Sequence, residues 1–327
     1  MRLLFFTDSH IRGTSPKNRK DDFVHTLEKK LEEIVDIIEA NRVDYVLHGG
    51  DLFDRPDVSI AIVSRFSRVF KKIKVPMYVV SGNHDVYGHN PQTIGRTMIG
   101  LLSELDIFNL IERDERIILE KEGLRVQVTG QPYIYDIDEP VNRKYYMVED
   151  VEEDINYAIH IVHGMLLDRP FIKGVPYTLV EDIRDTKADI TLAGHYHSGF
   201  DRIKIDGKYF INPGSIVRIS NSLREMDRRP KVIIIDLGED IKITDVYLKT
   251  ALDGDQVLDR EEIERNIFKR ERIYEFKQTV DSAMNFERMD INDVLIEVSK
   301  SEGLSEEVKE EALKRIAMIQ MKEFNGG

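Results

Sequence analysis

Five short polar blocks punctuate the N-terminal part of the chain: Asp8-Ser9-His10, Gly50-Asp51-Leu52-Phe53-Asp54, Gly82-Asn83-His84-Asp85, His163-Gly164 and Gly194-His195-Tyr196-His197. They offer carboxylate, carboxamide and imidazole donors, and the chain has no cysteine to add a thiolate. That donor set suits borderline-to-hard divalent ions such as Mn2+, Fe2+ or Zn2+. The interspersed glycines let the backbone turn sharply and bring short side chains to one centre. Any single block reads better as a satisfied loop than as a ligand set. Five in one chain, holding five of its nine histidines, point to a shared metal site. The other four have structural readings: His25 on the solvent face of a helix, His48 and His160 as strand residues satisfied by neighbours, His89 on the surface.

Such blocks need a frame that brings them together. The apolar runs 3–6, 43–47, 76–80, 158–162 and 189–192 read as buried strands, and most of the blocks directly follow one. Asp21 and Asp22 offer an N-cap, and Val24, Leu27, Leu31, Ile34, Val35 and Ile38 then recur at helical spacing. A second helix is expected over 60–73. This strand–helix–strand rhythm demands crossover connections and an α/β sheet, whose strand carboxyl ends gather ligands. Hairpins are expected for 117–119 with 125–129, for 202–205 with 208–211 around a type I′ Asp206-Gly207 turn, and for 232–237 with 241–248.

A hydrophobic content of 41% supports a sizeable core, and a net charge of −13 argues against non-specific nucleic-acid binding by the whole surface. The charge is uneven. Residues 251–327 carry 19 acidic and 12 basic side chains in a helical pattern, which suggests a catalytic domain over 1–250 and a charged helical region over 251–327. Within the latter, 291–298 and 305–321 read as an αα-hairpin around Gly303, its apolar stripe docking on a partner or on the catalytic domain. Arg12, Lys17, Arg19 and Lys20 cluster after the first block, and Arg218, Arg224, Arg228, Arg229 and Lys231 after the last. The N-terminus lacks the long apolar region of a secretory leader, and no apolar run is long enough for a membrane span, so a cytoplasmic protein is expected.

In these five blocks the chain resembles the calcineurin-like metallophosphoesterase family over roughly residues 1–220, including a closing turn at Asn212-Pro213-Gly214-Ser215. The resemblance implies a two-sheet α/β sandwich flanked by helices, here with a C-terminal helical extension. It implies two divalent ions, Mn2+ foremost. Asp8, His10, Asp51 and His197 would hold one, and Asp51, Asn83, His163 and His195 the other. His84 would be the catalytic imidazole that is not a ligand, with Asp85 hydrogen-bonded to its ring.

Gly-Asp-Leu-Phe-Asp followed by Arg55-Pro56, a long acidic helix expected before His163-Gly164, and the charged C-terminal helices resemble the SbcD-type DNA repair nuclease branch. That branch implies a DNA exonuclease or endonuclease, a coiled-coil SMC-like ATPase subunit as partner, and a homodimer. Arg12, Lys17, Arg19, Lys20 and Arg218 would then hold successive phosphates of a strand. A phosphodiesterase acting on cyclic or other small nucleotides is the alternative. A scaffold without activity fits less well, because every metal position is filled.

Overall fold

The computed structural model describes residues 1–172, 174–219, 222–265, 267–269, 272, 305, 307–308 and 311–312. The chain runs through β1 (Arg2–Phe6), α1 (Phe23–Ala40), β2 (Tyr45–His48), α2 (Ile60–Phe70), β3 (Met77–Val79), α3 (Met98–Glu104), β4 (Asn109–Leu110), β5 (Arg116–Lys121) and β6 (Leu124–Gln131). It continues through β7 (Tyr157–Gly164), β8 (Leu166–Leu167), β9 (Thr178–Leu179), β10 (Ile190–His195), β11 (Phe200–Ile205) and β12 (Lys208–Asn212). The remaining elements are α4 (Arg224–Asp227), β13 (Lys231–Leu237), β14 (Ile241–Tyr247) and α5 (Gly254–Val257).

Two mixed six-stranded sheets form, in the orders β14-β13-β1-β2-β3-β4 and β11-β12-β10-β7-β6-β5. Strands β1 to β4 are mutually parallel, as are β6, β7, β10 and β12, while β13, β14, β5 and β11 add antiparallel edges. Buried alternation explains the layering. Leu3 and Phe5 enter a core shared with Val126, Ile159, Ile161 and Leu192 of the second sheet. Leu4 and Phe6 face a core shared with α1 and α2. A strand covered on both faces needs a continuous apolar run, as residues 3–6 provide.

The six stripe residues of α1 are all buried, and Asp22 caps it by accepting the N–H of His25 at 3.1 Å. The tight turn between β11 and β12 has positive φ at both Asp206 (49°) and Gly207 (85°), as type I′ requires. The expected acidic helix before His163 does not form. A 3-10 turn at Pro140–Tyr146 is followed by a loop through Glu149, Asp150, Glu152, Glu153 and Asp154. Closely spaced like charges with no apolar stripe favour no helix there. Buried Gln127 of β6 grips that loop, donating to the carbonyl of Asp150 at 3.2 Å and accepting the N–H of Glu152 at 2.9 Å.

The compact unit of the first sheets extends over Met1–Ile263, with Val257, Leu258 and Ile263 buried in it. The second unit is Glu264–Gly327. The expected hairpin over 291–321 lies outside the described residues apart from Ser305, Glu307, Val308, Glu311 and Ala312. No helix among the described residues is long and apolar enough to cross a membrane.

Candidate metal centre

Because β1, β2 and β3 run parallel in one sheet and β7 and β10 in the other, the five blocks leave strand carboxyl ends at one edge of the sandwich. The first two blocks lie side by side there. The N–H groups of Asp8, His10 and Ile11 donate to the carbonyls of Gly50, Asp51 and Leu52 at 3.0, 3.0 and 2.9 Å. The turns are tight enough that Asp8 (φ 53°), His10 (φ 44°), Asp51 (φ 51°) and His195 (φ 79°) all adopt left-handed backbone. Such residues cost about 1–3 kcal/mol each and gather where a site demands a particular side-chain direction. A Cβ on Gly82 would lie 2.1 Å from Asp51 Oδ1, so that position needs glycine for close approach.

His163 Nδ1 lies 2.7 Å from the carbonyl oxygen of Gly49, which can only accept, so Nδ1 carries a hydrogen. Its Nε2 then faces Asn83 Oδ1 at 3.2 Å and Asp51 Oδ2 at 3.3 Å. Asp51 Oδ1 accepts the N–H of His84 at 2.8 Å, while its buried Oδ2 has no hydrogen-bond partner among the described residues. On the far side of that oxygen, His10 Nε2 is 3.7 Å away and only 2.9 Å from His197 Nε2. His197 Nε2 is in turn 3.6 Å from Asp8 Oδ1. Two sets of ligand atoms are therefore close enough to hold a cation each: Asp8, His10, Asp51 and His197, and Asp51, His163 and His195. A buried carboxylate shared by both sets, with imidazoles of His10 and His163 near it, fits a pair of divalent cations.

Electrostatics prepares the donors. Burial pushes Asp51 up, but His163 and His10 outweigh it and hold the carboxyl well below its ordinary value. Burial depresses His163, and Asp51 overrides this to raise it to about 9. Burial takes His195 down to about 3 and His197 well below its ordinary value, leaving both neutral.

The expected site residues divide into those gathered at the centre and those that are not. Asp8, His10, Asp51, Asn83, His163, His195 and His197 all converge. His84 is exposed at the rim, its ring centroid 4.9 Å from that of His10. Asp85 does not touch the His84 ring, contrary to expectation. Its buried carboxylate accepts the N–H groups of Leu52 (3.2 Å), Phe53 (2.8 Å) and Gly82 (2.9 Å), tying the second block to the third. The His84 ring is held instead by the main-chain carbonyl of Asp54. Burial and nearby Asp51 push Asp85 up to about 7.

Arg12 lies at the rim with its guanidinium 3.1 Å from the Asp54 carboxylate, and Lys17 and Lys20 are exposed. Arg19 and Arg218 are not phosphate holders. Arg19 is nearly buried, bonded to Asp21 at 2.7 Å and to the carbonyl of Arg218 at 3.1 Å. Arg218 is 2% exposed and donates to the carbonyls of Arg228 and Leu252. The reason is the loop after Asn212, whose carbonyls meet no strand partner and must be satisfied otherwise. Lys30 Nζ reaches the carbonyl of Ile216 at 2.9 Å, and Arg228 those of Ser215 and Val217 at 2.6 Å each. Ser215 Oγ then donates to the carbonyl of Asp8 at 2.6 Å, so this buried cationic frame backs the centre.

His48 ties the first block to the second, accepting the N–H of Gly50 at 3.2 Å on Nδ1 and lying 3.1 Å from Ser9 Oγ through Nε2. His160 is satisfied by Thr129 and Tyr145, and His25 is exposed. Two further residues belong to the site's surroundings. Asp54 ends the second block, where nothing in the sequence gives it a role. Tyr133 follows β6 outside every block, and its ring centroid lies 5.6 Å from that of His195, 6.2 Å from His163 and 5.5 Å from His89. No local signal marks it, since only the pairing of the two sheets brings it there.

Residues 1–199 match the family described as Calcineurin-like phosphoesterase. The chain is 26% identical over 257 residues to the DNA double-strand break repair protein Mre11 of Methanosarcina mazei, covering 75% of this chain and 37% of that protein. It is 26% identical over 316 residues to the double-strand break repair protein MRE11 of Encephalitozoon cuniculi, covering 82% of this chain and 51% of that one. The chain thus spans about half or less of the length of these two relatives. Among solved structures, the fold is similar to that of GAP50, the anchor in the inner membrane complex of Plasmodium, with a TM-score of 0.50, 14% identity, and coverage of 77% of this chain and 86% of that one.

Proposed function

The chain belongs to the calcineurin-like phosphoesterase family, and we propose that it is a two-metal phosphodiesterase that cuts DNA. The observation that carries the reading is the gathering of two sets of ligand residues that share Asp51, whose buried Oδ2 lies 3.7 Å from His10 Nε2 and 3.3 Å from His163 Nε2. Asp8, His10, Asp51 and His197 would hold one divalent cation, and Asp51, Asn83, His163 and His195 the second. When bound, such a pair supplies positive charge to the phosphoryl oxygens and makes an attacking water acidic enough to react near neutral pH. Carboxylate, amide and imidazole donors suit borderline-to-hard divalent ions; the family resemblance puts Mn2+ first, with Fe2+ or Zn2+ as alternatives.

His84 acts on the substrate from the rim. Its Nδ1–H is engaged by the carbonyl of Asp54 at 2.9 Å, which leaves Nε2 facing the substrate; in the imidazolium form a second hydrogen on Nε2 would donate to a phosphoryl oxygen or pass to the leaving oxygen, returning the ring to neutral. DNA as substrate is supported by the distant similarity to the Mre11 proteins. The resemblance to the SbcD branch adds a coiled-coil ATPase as partner.

The test compares the Mn2+-loaded full chain on single-stranded DNA, on duplex ends and on cyclic nucleotides. Hydrolysis of linear DNA that a chelator abolishes is expected. Turnover of cyclic nucleotides with none on DNA would replace this reading with that of a small-nucleotide phosphodiesterase.

A further inference from the structure

A groove of about 690 Å³ opens beside His195 and His197, lined by Arg169, Phe171, Tyr196 and Arg224 among others. A second groove, of about 400 Å³, shares Asp168, Arg169, Ser198 and Arg224 with the first and continues to Arg229, Lys231 and Tyr247. The two form one channel leading away from the candidate metal centre.

Its cations are differently placed from those of the buried frame. Arg224 and Arg229 are exposed, and neither has an ion-pair partner among the described residues. Arg169 is 65% exposed and only 3.9 Å from Asp168, a pair worth little in water. Asp168 and Asp201 also line the channel, so the cations do not form an unbroken wall. Aromatic rings are interleaved with them. Phe171 meets Tyr196 edge-on at 6.0 Å, and Arg229 lies over the ring of Tyr247, which is 46% exposed, at 5.4 Å from its centroid.

Cations that track a backbone, alternating with rings on which unstacked bases can rest, suit a single nucleic-acid strand. A duplex keeps its base faces covered and could not use the rings. We propose that a single-stranded polynucleotide lies in this channel, with phosphates on Arg169, Arg224 and Arg229 and bases against Phe171, Tyr196 and Tyr247. Its scissile phosphate reaches the metals from the His195 and His197 side. This rests on the phosphodiesterase reading above and extends it by naming the strand's path.

The test uses the full Mn2+-loaded chain, the double variant Arg224→Ala/Arg229→Ala and the single variant Tyr247→Ala. Binding of fluorescent single-stranded oligonucleotides is read by anisotropy across a salt series. Hydrolysis is read as the ratio of kcat/KM for an oligonucleotide to that for bis(p-nitrophenyl) phosphate. The double variant is expected to bind about tenfold or more weakly, with a salt slope shallower by about 0.7 for each phosphate that an arginine no longer holds. Its hydrolysis ratio should fall in parallel, and Arg224→Lys/Arg229→Lys should recover most of the affinity. Tyr247→Ala should weaken binding while leaving the salt slope unchanged, because a stacking ring releases no counterions. An unchanged salt slope and an unchanged ratio in the double variant would overturn the path, as would polyglutamate displacing the oligonucleotide with equal affinity. If the wild-type chain hydrolyses no phosphodiester of any length, the functional reading fails instead, and the binding arm still decides the channel.

Discussion

His84 Nδ1 lies 2.9 Å from the main-chain carbonyl oxygen of Asp54. A carbonyl can only accept, so this contact keeps a hydrogen on Nδ1 and turns Nε2 outward, where the second hydrogen of the imidazolium is the one that can be given away. The same Asp54 places its carboxylate 3.6 Å from His10 Nδ1 and 3.1 Å from the Arg12 guanidinium. One residue thereby orients the proposed acid and flanks a proposed metal ligand, with its backbone and its side chain respectively.

Replacing His84 by Ser should separate those functions. The variant is expected to retain both metals and lose turnover by about 10²–10⁴-fold, the usual contribution of a general acid or base. Metal content by atomic emission beside steady-state rates checks it. Loss of metal would make His84 a ligand.

Asp54→Asn keeps the carbonyl that holds His84 but removes the charge beside His10. Metal affinity is expected to fall by about 10–100-fold, the range seen when a group supporting a ligand is removed. The saturating rate should change far less. A large fall in saturating rate at full metal occupancy would place the carboxylate in the reaction itself.

Asp51→Asn removes the charge proposed to sit between both cations, and Gly82→Ala forces a Cβ against the Asp51 carboxylate. Both variants should lose at least one metal and most activity. Wild-type Mn2+ stoichiometry and turnover in Asp51→Asn would defeat the ligand assignment.

Metal binding should release at least one proton near pH 7.5. In the metal-free chain His163 is held up at about 9 and so carries a proton that a cation must displace; His10 is raised too, its burial outweighed by Asp54, Asp51 and Asp8, whereas neutral His195 and His197 release none. Protons compete with metal, so affinity should rise as pH rises towards 9 and then level off. The same raised value stabilises the metal-free fold fully below the ordinary 6.5, and that contribution is lost as pH rises through 9. Titration calorimetry in two buffers of different ionisation enthalpy counts the protons, and a count of zero would mean a neutral His163.

Arg218→Ala should act on stability and not on substrate. Its guanidinium satisfies the carbonyls of Arg228 and Leu252 in the interior, and removing it costs on the order of 3 kcal/mol. Neutralising exposed Lys17 and Lys20 should leave the melting temperature almost unmoved. Equal melting temperatures for Arg218→Ala and the wild type would refute the scaffold role.

The sequence by itself identified the polar blocks that the fold gathers and the strands that carry them. Parallel strands put their carboxyl ends on one edge, so polar blocks that follow apolar runs must meet there, wherever the intervening chain goes. The stripe of α1 and the Asp206-Gly207 turn were legible for the same reason: local geometry alone dictates them. Tertiary structure decided where each remaining side chain points. Asp85 sits beside His84 in sequence yet turns inward, where its carboxylate takes the N–H groups of Leu52 and Phe53. Arg218 and Arg19 belong to basic clusters but are drawn inside by carbonyls of a loop that no strand covers, while Arg224 and Arg229 stay at the surface. Charge type can be read along a chain. Its use depends on which unsatisfied backbone groups the fold brings within reach, and only the packing of the two sheets and their loops sets that.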